Sequence, residues 1–494
     1  MNETSNPDVG QRSRSGQFFR WLFSRRTQKR ILIGLAVFAT LIAIFYAEED
    51  WRGKRAWEQC KRELEAKGAV LDWDKYIPPP VPDDQNFFKA PKMQEWFVGR
   101  GGSDLSKRLQ SQNANLTSSV GAATNLIATA EAAKTYLSWS DQFKPDFDLI
   151  GRALKRPFAR MDGDYSQPYN VPIPNFITVR AVAQVLAQRA RCYFLLGEPE
   201  KALDELTLLN DSRRLLEGAP TSQPMTLVAA MINVAVAGLY VDTIADGFRK
   251  HAWQEPQLVA LEEQLKEITL PRWVADSFRM EPAHDICFFE TTPADKIVDL
   301  VSGPGPSGKA AGVWSRLKNP LYLYLEFAPR GWRYQNMVNM IKHAPPPSDS
   351  FDMEQALISP RVFEEYSRNY NQFFGSKSPF KTLVAIALPN FTKATQTTAH
   401  NQAMADEAQI ACALERYRLA HGVYPETLDA LVPQFIKKLP HDIINGQPLH
   451  YHRTDDGKFL LYSVGWNETD DGGEVALKKD GSEDREQGDW VWKN

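Results

Sequence analysis

The sequence predicts a mainly α-helical, multidomain protein. It should carry a single N-terminal transmembrane helix, an α-helical hairpin scaffold, and a small C-terminal α+β unit of one long helix plus a short antiparallel sheet. Three observations carry this prediction. Residues 31–47 read ILIGLAVFATLIAIFYA, an uncharged run of 17 residues, close to the ~20 that a spanning helix needs. From about 120 to 275, alanine, leucine and valine recur at three- and four-residue intervals, the period of an amphipathic helix. After 390 a long helical pattern gives way to PLHYHRTDDGKFLLYSVG, two strand-like runs joined through Asp455, Asp456 and Gly457.

The anchor has a direction. Arg12, Arg14, Arg20, Arg25, Arg26, Lys29 and Arg30 precede it, and Glu48, Glu49 and Asp50 follow it at once. The positive-inside rule then puts residues 1–30 in the cytoplasm as a basic tail and the bulk of the chain outside. Trp21, Phe23 and Tyr46 extend the run into the interface. A cleaved signal peptide fits poorly, because Phe45 stands where a small residue is needed ahead of Ala47. The Ser24-Arg25-Arg26 pair lacks the hydrophobic residues that follow it in a twin-arginine signal. No cysteine stands directly at the end of the run to carry a lipid, and a buried globular helix would not explain the charge asymmetry.

Composition narrows the rest. With 494 residues, 43% hydrophobic and 24% charged, the chain can fold into several globular domains. A net charge of -3 gives no reason to expect nucleic acid. Cys60, Cys192, Cys287 and Cys412 are scattered, without zinc or redox spacing; they leave room for one or two disulfides without assigning them.

In chain order, 48–67 reads as a juxtamembrane helix with Trp57, Cys60 and Leu64 on one face. IPPPVPDDQNFFKAP (77–91) is too proline-rich for a helix interior, so it is an extended connector that docks through Phe87 and Phe88. In ARCYFLLGEPEKALDEL (190–206), Ala190, Tyr193, Gly197, Ala202 and Leu206 fall at the spacing of a tetratricopeptide unit; a generic helical hairpin is the other reading. Both describe helix pairs, which ordinarily bind other chains. Residues 300–350 look irregular. A helix over 392–421 shows Ile410, Ala413, Leu414 and Tyr417 as its stripe and ends at His421-Gly422. The expected divisions are therefore 1–30, 31–47, 48–95, 96–390 and 391–494.

Catalytic signals are thin. The stretch from Gly303 to Lys309 approaches a phosphate-binding loop, but Ala310 replaces the magnesium hydroxyl, and Pro304 and Pro306 remove N–H donors. Ser378 and Lys381 have S-x-x-K spacing, which on a helix sets a lysine beside a serine nucleophile; the companion K-T-G is missing. His284-Asp285 with Glu281 and Glu290 lacks zincin spacing. His441, His450 and His452 read as surface residues, and no G-x-S-x-G element occurs.

The tail from 467 to 489 crowds carboxylates around Gly472, Gly473, Gly481 and Gly488. Oxygen ligands on a bendable loop suit a hard cation such as Ca2+; a solvated acidic loop is the plain alternative. The order of elements adds a resemblance over about 100 residues. Tyr417, Gly422, Tyr424-Pro425, Leu428 to Val432, Pro440 to Asp442, the 448–464 hairpin, Tyr462-Ser463-Val464-Gly465, Gly472-Gly473 and Asp489-Trp490 follow one another in the order of the type II secretion major pseudopilins. This region resembles their soluble domain. The resemblance implies calcium held near the late aspartate: Asp489, Asn467 where the family has a loop aspartate, the Val464 carbonyl, and Asp470 and Asp471 as compensating carboxylates. The expected setting is a bacterial inner membrane with a periplasmic body and protein partners in the envelope; the sequence identifies no small-molecule substrate. The anchor lies some 350 residues too far upstream and lacks the pseudopilin peptidase site, so the domain reads as a borrowed module. The expected role is that of a membrane-anchored extracytoplasmic interaction or assembly protein, its association with a type II secretion-like or envelope system being implied by the resemblance alone; an envelope hydrolase using Ser378 and Lys381, or a ligand-sensing ectodomain, are the alternatives.

Overall fold

The computed structural model describes residues 24–99, 101–122, 126–166, 171–217, 226–302, 318–343, 350–375, 378–387 and 391–493. The basic residues 12, 14 and 20, the aromatics Trp21 and Phe23, and the glycine-rich 303–309 stretch lie outside them. The fold is mainly helical, with three small antiparallel sheets among the described residues.

The span and the juxtamembrane segment, read as two elements, form one helix, Arg25–Ala66, of 42 residues. Nothing between Ala47 and Trp51 breaks a helix, since neither Gly nor Pro intervenes. Ser24 caps it by accepting the Thr27 N–H at 3.2 Å. At 1.5 Å per residue the rod is about 63 Å long, twice the ~30 Å of a hydrocarbon core. Its first half is bare: Leu32, Ile33 and Phe38 are 65%, 64% and 62% exposed. Its second half buries Glu49, Gly53, Trp57 and Cys60, one stripe at helical spacing, against the Arg330–Lys342 helix. There the backbones nearly touch. A Cβ on Gly53 would lie 2.2 Å from the Gly331 carbonyl oxygen, and one on Gly331 would lie 1.9 Å from that of Glu49. Asp50 accepts the Gly331 N–H at 2.8 Å, Glu49 accepts Trp332 Nε1–H at 2.9 Å, and Tyr46 donates to the Phe327 carbonyl. The Pro320–Phe327 and Arg330–Lys342 helices correct the reading of 300–350 as irregular. The first begins on a proline, and the second has polar residues scattered through it, so neither shows a clean period.

The body is built on helix pairs. Phe176–Leu196 and Pro199–Arg214 make the expected hairpin, turning at Gly197, whose φ of 72° suits a residue without Cβ. Ala190 and Ala202 are fully buried between them. Arg189, also fully buried, joins three elements by bonding Glu205 at 2.7 Å, Asp141 at 2.9 Å and Ser140 at 2.6 Å. Phe87 and Phe88 dock the proline-rich connector, as expected, and the Phe87 N–H donates to the Phe158 carbonyl at 2.7 Å. A second apolar helix, Leu227–Arg249, is long enough to span a bilayer, yet 61% of its apolar window is buried inside the body.

The Phe391–His421 helix is the axis of the molecule. It packs on the Leu227–Arg249, Glu255–Lys266 and Leu270–Thr291 helices and also on the C-terminal strands. One hydrophobic cluster accordingly runs from Phe87 to Trp492. The predicted hairpin forms from His450–Arg453 and Phe459–Ser463, and Trp490–Val491 pairs antiparallel with the second strand. The acidic tail is more ordered than a loop. Val475–Leu477 and Glu483–Gly488 form their own antiparallel pair. All four cysteines are free thiols, so the bridges that their spacing left room for do not form.

The crossing of the Arg25–Ala66 and Arg330–Lys342 helices gives a first test. Gly331→Ala forces a side chain into backbone, and overpacking of this kind costs roughly 1–3 kcal/mol. The full chain in detergent should melt lower, and limited proteolysis should now reach the 48–66 turns. Gly34→Ala, with open space around it, should change neither.

Candidate functional site

The residues singled out for calcium lie at the end of the Phe459–Ser463 strand. Asp442, almost fully buried, holds that end in place: it accepts the Val464 N–H, the Ser463 hydroxyl and the Ile444 N–H, each at 2.9 Å. Gly465 then turns the chain with φ 70°, and a Cβ there would lie 2.4 Å from the Gly488 carbonyl oxygen. This close approach brings the loop to Asp489.

Asp489 is 1% exposed. Its carboxylate accepts the Gly473 N–H at 2.6 Å and the Asp471 N–H at 3.1 Å. Burial raises its pKa above the ordinary carboxylate range; the two amide bonds act the other way, and the nearby charges of Asp471 and Asp470 add to the rise. Asn467 donates to Asp471 at 2.9 Å. Asp470 accepts from the Tyr462 hydroxyl and from the Gly472 N–H, both at 3.0 Å, and lies 3.4 Å from His450. Hence Asp489 meets the backbone of Asp471, whose side chain turns to Asn467, and Asp470 is directed toward Tyr462. The crowding of carboxylates around glycines has a local cause. Asp470, Asp480 and Asp489 accept the exposed N–H groups of the turns.

The candidate donors are oxygens, and a carboxylate has about four lone-pair sites, of which the amides use only some; the carboxylates of Asp470, Asp471 and Asp489 do not, however, bring three ligand atoms within 4.8 Å of one another. An ion would favour the charged form of Asp489, which burial now disfavours.

The neighbouring Glu483–Gly488 strand is tied to the central helix. Glu483 bonds His400 Nε2 at 3.1 Å and lies 3.4 Å from Lys493, while the His400 ring meets the Trp490 ring edge-on at 5.3 Å. The hydrogen bond to His400 holds the Glu483 pKa down at about 2, helped by the charges of Lys493 and Arg485.

The other candidates are placed as follows. Ser378 is extended, with φ -151° and ψ 142°, and caps a 3-10 turn at Pro379–Lys381 by accepting the Phe380 N–H. Lys381 donates to the Phe373 carbonyl and lies 4.2 Å from that ring's centroid. The α-helical spacing that S-x-x-K chemistry requires is therefore replaced by a capped turn. Glu281, His284 and Asp285 do converge: their ligand atoms lie within 4.8 Å of one another, the one such group among the described residues. Glu281 accepts the Leu227 N–H at 3.1 Å, and burial first, then Asp285, pushes its pKa up to about 7. His441 contacts the Gln355 carbonyl at 2.7 Å, His450 stacks on Tyr462, and His452 is exposed.

Sequence reasoning missed a polar cavity of about 570 Å³ beside the anchor crossing, lined by Glu290, Glu326, Arg330, Arg333 and Tyr334. No motif marks it, because its residues come from three helices.

A pH prediction follows from Glu483. Its folded pKa lies below the ordinary 4.5, so it contributes stability above that value, and this is lost as pH falls toward about 2. Thermal melts between pH 5 and pH 2 should show a steeper loss for the parent chain than for Glu483→Gln. Set beside known proteins, the chain matches no family model, no curated protein and no solved structure, so its function has to be argued from its own residues.

Proposed function

We propose that this chain is a single-span protein of a bacterial inner membrane, with a cytoplasmic N-terminus and a periplasmic body that serves as an interaction and assembly scaffold for other envelope proteins. In this reading the 391–494 region is a pseudopilin-like, calcium-stabilised unit, and the partners include components of a type II secretion-like system. The observation that carries the proposal is the Arg25–Ala66 helix. Its apolar half has no protein cover, and its continuation is locked into the body at Gly53 and Gly331. Exposed apolar surface of that extent calls for lipid or a partner, and the lock holds the body at a set height above it. The helix-pair architecture supports a docking role. The hydrolase alternative draws no support from a serine that caps a turn and a lysine engaged by Phe373.

Two measurements test this. The protein should stay in the membrane pellet through alkaline carbonate, and protease added to spheroplasts should remove the body and leave a short N-terminal fragment. Release by carbonate would sink the anchor. For the ion, the full chain in detergent should melt higher with calcium than with chelator. The gain from a ligand at a hundredfold excess over its Kd is about 2.7 kcal/mol. Asp489→Asn should lose most of that gain. An identical melt with calcium and chelator would sink the calcium reading alone.

A further inference from the structure

We propose that the cavity beside the anchor crossing holds the headgroup of a zwitterionic phospholipid with a primary ammonium, its phosphate on Arg330 and Arg333 and its ammonium on Glu290 and Glu326. The inference rests on the membrane reading above. It is carried by where the cavity lies and by the charges that line it.

Its height is set by the clasp. Arg330 immediately precedes Gly331, which bonds Asp50, and Trp332 bonds Glu49. Phe327, next to the cavity residue Ala328, receives the Tyr46 hydroxyl. The cavity therefore sits level with residues 46–50, where the apolar run ends and the first charges begin, the depth of lipid headgroups. Apolar side chains stand exposed at the same level: Phe327 is 55% and Trp51 61% exposed, as interfacial aromatics are. Leu325 and Met337, both buried, also line the cavity. Its volume, about 570 Å³, lies in the range of ~300–1,000 Å³ for small-molecule sites.

The charges select the ligand. Arg333 donates one N–H to the Leu325 carbonyl at 2.8 Å, which leaves donors of its planar fork for an anion. Among the described residues, neither Arg330 nor Arg333 forms an ion pair. Glu290 and Glu326 share the lining. A simple anion would meet two carboxylates and a simple cation two guanidinium groups. A headgroup with both charges pairs with each. Burial raises the Glu290 pKa and the charge of Lys61 acts the other way without cancelling the rise; an ammonium beside the carboxylate would offset what is left of that cost. A quaternary ammonium cannot donate a hydrogen bond to these carboxylates, and a glycerol headgroup has no cation.

The test uses the full chain in detergent, titrated by native mass spectrometry with phosphatidylethanolamine, phosphatidylcholine and phosphatidylglycerol of matched acyl chains, and with soluble phosphoethanolamine. One phosphatidylethanolamine should be retained per chain, with the other two lipids bound roughly tenfold more weakly, the worth of a hydrogen bond to a charged group. Arg330→Glu, an exposed position, should abolish retention. Glu290→Gln should lower phosphatidylethanolamine to the phosphatidylcholine level. Equal retention of the three lipids, or a preference that survives both variants, overturns the proposal. Soluble phosphoethanolamine binding as tightly as the lipid overturns the lipid source and assigns the cavity to a soluble ligand. Retention in detergent is read independently of carbonate extraction, so failure of the headgroup site and failure of the anchor are told apart.

Discussion

A helix wrapped by protein on every side must find a partner for the polar groups it carries. Phe391–His421 is buried over most of its length, and several of its polar side chains position the elements around it, while Thr395 Oγ1 and both Glu407 carboxylate oxygens are buried without a hydrogen bond. Asn401 donates to the Val234 carbonyl at 2.9 Å, where the absence of a side chain on Gly238 makes room: a Cβ there would lie 2.9 Å from the Asn401 amide nitrogen. Gln402 donates to the Ile268 carbonyl at 3.0 Å and accepts the Leu270 N–H at 2.9 Å, so it joins both sides of the corner between two packed helices. Arg416 reaches Glu255, Glu262 and the Phe435 carbonyl. His400 takes Glu483 from the tail. Each contact is directional, and together they fix the rotation and the register of the helix. The C-terminal strands and the helical body are then positioned by the same side chains.

This axis marks how far the sequence could be read. The ends of the helix, the Gly197 turn, the 450–463 hairpin and the docking of Phe87 and Phe88 were legible because each depends on neighbours in the chain. Asn401, Asp406, Glu407 and Gln409 argued correctly against a membrane span. They do not distinguish water from a polar protein interior, and Asn401, Glu407 and Gln409 are buried. Burial of that kind depends on partners over a hundred residues away, such as Val234 and Ile268, which no local period reveals. The same limit hid the 320–342 helices, which are held by the anchor helix and the 379–384 segment rather than by a strong stripe of their own.

The acidic tail shows a different limit. Its carboxylates were legible as oxygen donors, and the candidate residues lie in the loop and strand ends around Asp489. What the pattern does not reveal is the competing use of those oxygens. An aspartate two residues before an exposed amide readily accepts that N–H, and Asp470 and Asp480 do so. Asp489 does the equivalent across the loop, reaching Gly473 and Asp471. The turn geometry is therefore held by the carboxylates that an ion would bind. Ion binding and loop order would in that case be coupled, with the amides holding the ligands near their places and a cation relieving the repulsion that remains.

The anchor follows the same logic of mutual completion. A helix leaves its first N–H groups without internal partners, and Arg330–Lys342 begins after Pro329, which has no side chain to cap them. The anchor supplies the missing acceptor: Asp50 takes the Gly331 N–H, and with Glu49 it puts negative charge at the positive end of the helix dipole. Only glycine at both 53 and 331 lets the backbones come close enough for this. A flexible tether would have left the body free to turn relative to the apolar helix. A continuous helix, capping the first turn of a helix in the body, removes that freedom. The polar cavity lined by Arg330 and Glu290 is thereby held at a fixed position along the N-terminal helix, level with the end of its apolar run.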